Sequence, residues 1–221
     1  MKPIHIMTTG DFGREVAQQL SKKIDHIVIT PLNEPLYLLP SDRFPSARLH
    51  IFASWKSSSF ISKQLDQLCF KWNEPWLPIT MDHPYIRIGP LVIPGEGTCY
   101  HCFESRYLQH SPVPQYVKKI DAYYHSHPDA GPKGFLRSFA GWSAVFASTI
   151  IKSIDENEQS QSGRVWQLNM LTRESFSSQT ISVHGCPRCG LKRSEENRSV
   201  AQLSEDLQSL LSHRRGEVLT K

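Results

Sequence analysis

Two short cysteine motifs constrain this chain more than any other feature. Cys99-Tyr-His-Cys102 and Cys186-Pro-Arg-Cys189-Gly190 are C-x-x-C turns set far apart in the sequence. Such a turn presents two sulfurs to one side of a metal, because the residues between them aim backbone N–H groups at the sulfurs. Two turns complete a tetrahedral four-sulfur set with metal–sulfur bonds of about 2.3 Å. A metal held across that separation closes a long loop and contributes stability that local packing does not easily supply. The C-P-x-C-G form of the second motif is that of zinc ribbons. Cys99, Cys102, Cys186 and Cys189 are therefore the expected ligands of one zinc ion. Four thiolates leave no open position, so the expected role is structural. Coincidental pairs, a thioredoxin-like redox motif and an iron–sulfur cluster are the competing readings, and the ribbon-like form favours zinc. The fifth cysteine, Cys69, lies beside Leu65 and Leu68 at helical spacing and reads as a small core residue. His101 and His184 flank the motifs and read as supporting or surface groups.

A metal reading needs reduced thiols. The N-terminus carries no apolar signal-peptide core, and no apolar run approaches the roughly 18 residues of a membrane span. A cytoplasmic location follows as an expectation. The 221 residues suffice for one large domain or two small ones. The net charge of +4 is too mild to argue for nucleic acid or an anionic membrane. In the last stretch Lys192, Arg193, Arg198, Arg214 and Arg215 are interleaved with Glu195, Glu196, Glu205 and Asp206. That pattern reads as a solvated helix, with Val200, Leu203, Leu207, Leu210 and Leu211 on one side.

Along the first 80 residues strands alternate with helices. Residues 2–8, 25–30, 48–53 and 76–80 read as strands, and 14–20 and 57–72 as helices, the latter capped by Ser58 or Ser59. This order predicts an α/β sheet with parallel pairing. Residues 86–89 and 91–93 suggest a β-hairpin. The Pro-, His- and Tyr-rich segment 110–133 reads as a long loop, and its His125-Ser-His127 pair as surface. A small-residue helix is expected over 138–154, then a polar linker to 162 and antiparallel strands at 165–171 and 179–183. The expected organisation is one domain over 1–190 and a charged tail over 191–221.

Between the first strand and helix stands Thr8-Thr9-Gly10-Asp11-Phe12-Gly13, where a Rossmann G-x-G-x-x-G turn would lie. Gly10 and Gly13 fill the second and third glycine positions, while Thr8 replaces the first. No acid ends the second strand, where a ribose would need one; the nearest is Glu34. Asp11 sets a negative charge where a pyrophosphate would approach. Thr8, Gly10 and Gly13 thus form an eroded nucleotide loop, kept for a tight turn and close helix packing.

Trp76-Leu-Pro-Ile79, Ile88-Gly-Pro-Leu-Val-Ile-Pro-Gly-Glu-Gly-Thr-Cys-Tyr-His-Cys-Phe-Glu-Ser-Arg106, the small-residue helix and the terminal C-P-x-C-G together resemble one family. It is the ThiF/MoeB-like cyclodehydratase partner domain of thiazole/oxazole-modified microcin biosynthesis, a class of ribosomally made, modified peptides (RiPPs). The resemblance spans roughly residues 1–190. It implies a Rossmann-like, ubiquitin-activating-type fold with a structural zinc knuckle. It also implies a bacteriocin or antibiotic precursor peptide as ligand, a YcaO-type ATP-dependent cyclodehydratase as partner, and in some systems a flavin-dependent dehydrogenase. Homodimers or hetero-oligomers are expected, and neither nucleic acid nor membrane is. Two departures shape the functional expectation. Adenylating relatives carry an acid in a D-N-x-x-x-R-like run after the third strand, where this chain has Ala53-Ser-Trp-Lys-Ser57. Many members also begin with a winged-helix leader-binding domain, whereas this sequence starts at the first strand. The resemblance therefore implies a non-catalytic, peptide-binding scaffold with no catalytic residue of its own and without ATP. The alternative is an active adenylating enzyme of the ThiF/MoeB class. Arg106, just after the first motif, is expected to hold structure.

Overall fold

A computed structural model describes residues 2–33, 36, 38–156 and 161–190. Glu34 and the amphipathic pattern of the tail lie outside the described residues.

The chain runs β1 (Ile4–Thr9), α1 (Gly10–Ser21), β2 (Ile27–Pro31), β3 (Leu49–Ser54), α2 (Ser59–Trp72), β4 (Trp76–Asp82), β5 (Tyr85–Ile88), α3 (Tyr100–His110), α4 (Pro114–Ser126), α5 (Arg137–Asp155), β6 (Arg164–Asn169) and β7 (Ser175–Gln179). One seven-stranded sheet forms in the order β2-β1-β3-β4-β5-β6-β7. Its first four strands pair in parallel and its last four form an antiparallel run. Strands β1 and β3 are buried along their whole length, as parallel strands covered on both faces must be.

Each face carries its own core. On one side α1 and α5 pack together against Ile4, Ile6, Leu49, Ile51, Leu77 and Ile79. Ala140, Ala144 and Ala147 are fully buried there, so the small residues let α5 approach closely. On the other side α2 and α3 enclose Met7, Phe52, Leu65, Cys69, Trp76 and Tyr100. Cys69 is wholly buried in that core, and burial pushes its thiol well above the ordinary range. Ser58 caps α2 by accepting the Ile61 N–H, and Asn73 ends it in the left-handed conformation.

Several boundaries differ from the sequence reading for local reasons. Helix α1 begins at Gly10, not near Arg14, so the glycine turn is the helix start itself. Strand β5 pairs back on β4, Met81 opposite Ile86, and not on 91–93. At Gly89 (φ +101°) a Cβ would lie 2.4 Å from the Arg164 carbonyl oxygen, so only glycine fits where the chain leaves the sheet. Val92 instead bridges Trp76. Within 110–133 the expected loop contains α4, because Pro114 occupies the first helical turn, where its missing N–H costs nothing. The strand after β6 is Ser175–Gln179, not 179–183. Asn169 Oδ1 accepts the Leu171 and Thr172 N–H groups and turns the chain early.

At the edge where the parallel strands begin, polar groups are buried in a chain. His50 Nε2 donates to Glu74 Oε2 at 2.8 Å, which leaves His50 Nδ1 to accept from His5 Nδ1 at 3.0 Å. His5 Nε2 then accepts the Thr30 hydroxyl at 2.8 Å. Burial pulls the His5 pKa down to about 4, helped by the neighbouring His50, and burial lowers His50 as well. Although burial raises Glu74, bonds from Ser46, His50, Lys2 and the Ala47 N–H outweigh it and bring it to about 2. All three folded-state values lie below the unfolded ones, so acid drives proton uptake by the unfolded chain. Stability in urea titrations is expected to be full above pH 6.5 and to fall as pH drops toward 4, continuing toward 2 through Glu74. In His50→Leu with His5→Leu the loss between pH 6.5 and 4 should flatten.

Candidate metal centre

Cys99 stands at the N-cap of α3 and Cys102 in its first turn, so both sulfurs sit at the positive end of that helix. Cys186 and Cys189 come from the turn that follows β7. The four Sγ atoms lie within 4.8 Å of one another. Neighbouring pairs are 3.8 Å (Cys99–Cys102), 3.7 Å (Cys99–Cys186) and 3.4 Å (Cys102–Cys189) apart. Four sulfurs held tetrahedrally at about 2.3 Å from one ion are spaced about 3.8 Å apart. The observed spacing fits that geometry and is far too long for a disulfide, whose S–S bond is about 2.05 Å. The donor set thus passes the test for a soft or borderline metal.

Backbone N–H groups converge on the sulfurs. The Val183 N–H donates to Cys102 Sγ at 3.3 Å. Burial pushes the Cys99 thiol up, and Cys102 up to about 11. Burial acts the same way on Cys186, yet N–H bonds from Cys189 and Arg188 bring it down to about 6. The second turn therefore favours a thiolate at Cys186 from its own backbone. Gly190 is part of the same device. Its N–H donates to the Cys186 carbonyl at 2.9 Å, and a Cβ there would fall 2.5 Å from that oxygen. Close backbone approach, not a left-handed φ, demands this glycine.

The second turn is anchored by a residue between its cysteines. Arg188 reaches Asp66 on α2, with Nη1–Oδ2 2.8 Å and Nη2 donating to the Asp66 carbonyl at 2.6 Å, and lies over the Phe70 ring. Asp66 also accepts the Trp76 indole N–H at 3.1 Å. Burial raises the Asp66 carboxyl, and Arg188 and Trp76 pull against it. From the other side Arg106 on α3 donates to the carbonyls of Ile181 and Ser182, which lead into the turn, and to Gln109. These bonds tie α3 to the segment that leads into the second cysteine turn. Neither His101 nor His184 belongs to the cluster, and both are exposed. His125 packs on Phe60 and His127 stacks on Tyr123, so the two rings have different partners.

The glycine turn is crowded. Gly10 adopts φ +63°, and a Cβ there would lie 2.3 Å from Trp55 Cδ1. At Gly13 a Cβ would lie 2.3 Å from the Ala53 carbonyl oxygen. Both glycines thus serve contact with the 53–55 segment at the end of β3. Thr8 is buried in β1 with its hydroxyl unpartnered. Trp55, 2% exposed, is the residue that composition and spacing did not single out. Next to it Lys56 is buried, donates to the carbonyls of Pro128 and Ala130, and straps the segment after α4 across this end of the sheet. A cavity of about 390 Å³ remains beside the turn, lined by Gly10, Asp11, Arg14, Asn33, Trp55 and Lys133 among others. Asp11 and Arg14 pair with each other there. Among the described residues no helix is long and apolar enough to cross a membrane.

No protein family profile and no curated protein matches the chain. Solved structures do share its fold. The heterocyclase TruD is 18% identical, with a TM-score of 0.60 over 89% of this chain and 28% of TruD. A heterocyclase in complex with substrate and cofactor gives 15% identity and a TM-score of 0.62 over 89% of this chain and 26% of its own. Escherichia coli MccB with ATP gives 13% identity and a TM-score of 0.56 over 86% of this chain and 67% of MccB. The chain therefore spans about a quarter of those heterocyclases.

Titration of the reduced chain with cobalt(II) is expected to saturate at one ion, with the sulfur-to-cobalt charge-transfer bands of a tetrahedral four-thiolate site. Cys186→Ser should weaken those bands and lower the melting temperature; Asp66→Asn should lower it with the bands retained.

Proposed function

We propose that this chain is the non-catalytic, substrate-peptide-binding scaffold of an azoline-forming synthetase, of the McbB type, acting beside a YcaO-type ATP-dependent cyclodehydratase. In this reading the domain of residues 1–190 has a Rossmann-like ThiF fold, its four cysteines hold a structural zinc, and residues 191–221 form an appended tail. The zinc supplies no chemistry. Cys99, Cys102, Cys186 and Cys189 would hold it and so fix α3 and the strands β6 and β7 against α2. A flavin-dependent dehydrogenase acts after the scaffold where azolines become azoles, and the working assembly is a homodimer or hetero-oligomer in the cytoplasm.

The fold is compatible with two roles, since its structural neighbours include heterocyclases and an MccB solved with ATP. The observation that supports the scaffold reading is the packing of Trp55 on Gly10. A nucleotide pyrophosphate needs the backbone of that turn open to its approach. Here an indole lies against it, Asp11 sits in the first helical turn, and Ala53–Ser57 offers no carboxylate for a metal–ATP complex. The second reading, an adenylating enzyme, is favoured by the cavity of about 390 Å³ that persists beside Gly10.

Incubated alone with ATP and a Cys/Ser-rich precursor peptide, the purified chain should show no peptide-dependent ATP–pyrophosphate exchange. Azoline formation should appear when a YcaO partner is added, as loss of one water per ring by mass spectrometry. Pyrophosphate exchange by the isolated chain would reverse the assignment in favour of the adenylating enzyme.

A further inference from the structure

Between α2, α3, α4 and the β4–β5 ladder lies a cavity of about 670 Å³, and none of the four clustered cysteines lines it. Its size is that of a small-molecule site. The wall formed by the ladder holds Thr80 and Arg87, which stand directly opposite one another on neighbouring strands and so present their side chains to the same face. Tyr100, Phe103 and Tyr107 form an aromatic wall.

Arg87 is 7% exposed, and its guanidinium makes no hydrogen bond to the described residues. Its nearest carboxylate oxygen, Asp82 Oδ2, is 3.7 Å away, beyond hydrogen-bond range. What holds the group is the pair of rings of Phe103 and Tyr107, with their centroids 5.3 and 5.1 Å from its central carbon. Ring contact fixes the guanidinium and leaves its N–H donors open. Thr80 is 2% exposed and its hydroxyl has no partner either. A buried hydroxyl without a partner is costly unless something else satisfies it, and the open guanidinium donors stand beside it.

Three other charges on the wall are engaged. Lys63 pairs with Glu104 at 2.9 Å, and Asp121 accepts the Ser59 N–H at the start of α2 at 3.0 Å. Exposed Lys118 adds one more positive charge to the lining. A planar fork of donors matches a carboxylate, which takes two parallel N–H bonds. Asp82 lies too near Arg87 for a dianionic phosphate to be well tolerated.

From this geometry we infer that the cavity binds an organic carboxylate carrying an apolar or aromatic group: Arg87 and Thr80 take the carboxylate, and Tyr100, Phe103 and Tyr107 take the apolar part. This site is independent of the scaffold reading, which it neither requires nor supports. The carboxylate can come from a small free acid or from the end of a short peptide.

The test is calorimetric titration of the full chain with hydrocinnamate, with hydrocinnamamide, and with N-acetyl-Ala-Gly-Phe as free acid and as amide. Saturable binding of at least one free acid, with its amide about tenfold weaker or more, is expected. Binding of hydrocinnamate identifies a small acid as sufficient, and binding of the peptide acid alone identifies a peptide end. Arg87→Gln should remove the acid-over-amide preference. Should that variant fail to fold, Thr80→Val, which keeps shape, decides, with an expected several-fold loss for the acid only. No binding of either acid up to about 10 mM, equal binding of acid and amide, or undiminished preference in the folded variants overturns the inference.

Discussion

The four-cysteine cluster joins parts of the chain that nothing else brings together so firmly. Its first pair opens α3, and its second lies beyond β7, at the far edge of the sheet. Strand β7 is exposed along its whole length, so apolar burial contributes little to holding it. The cluster, the Arg188–Asp66 pair and the Arg106 bonds to Ile181 and Ser182 together return that edge to the core formed by α2 and α3. Asp66 in turn orients Trp76, which is fully buried at the start of β4. The second cysteine turn, the second core and the central sheet are thereby one connected unit. Breaking the cluster is expected to loosen the antiparallel half before the parallel half, whose strands are buried on both faces.

The opposite end of the sheet reflects a different economy of contacts. Where the parallel strands end, Trp55 lies on Gly10 and Lys56 ties down the stretch after α4. Glycines that in a nucleotide-binding turn keep room for phosphate here keep room for an indole and a carbonyl. Trp55 covers the turn at Gly10, and a cavity of about 390 Å³ persists beside it. That packing underlies the proposed division of labour, in which this chain positions a peptide and another chain activates ATP.

Much of this was legible in the sequence where the pattern is local. The alternation of strands and helices, the α2 periodicity with Ser58, and the alanines of α5 translated directly into elements. The cysteine spacing named all four clustered sulfurs. Local rules failed where another interaction outweighed them. Prolines around 112–114 suggested a loop, but Pro114 sits where a helix accepts it. Asn169 turned β6 into β7 earlier than alternation implied. Trp55, Asp66 and Arg87 could not be singled out, because their significance lies in what faces them across the fold: Gly10, Arg188, and an aromatic wall. The Arg between Cys186 and Cys189 was visible, but not its partner on α2.

The four cysteines are proposed to form a closed, structural four-sulfur zinc site. X-ray absorption at the zinc edge on the purified chain tests it most directly. A single shell of four sulfurs at about 2.3 Å with no light-atom ligand is expected. A shell containing oxygen or nitrogen, or an iron signal with a short metal–metal distance in place of zinc, would contradict it.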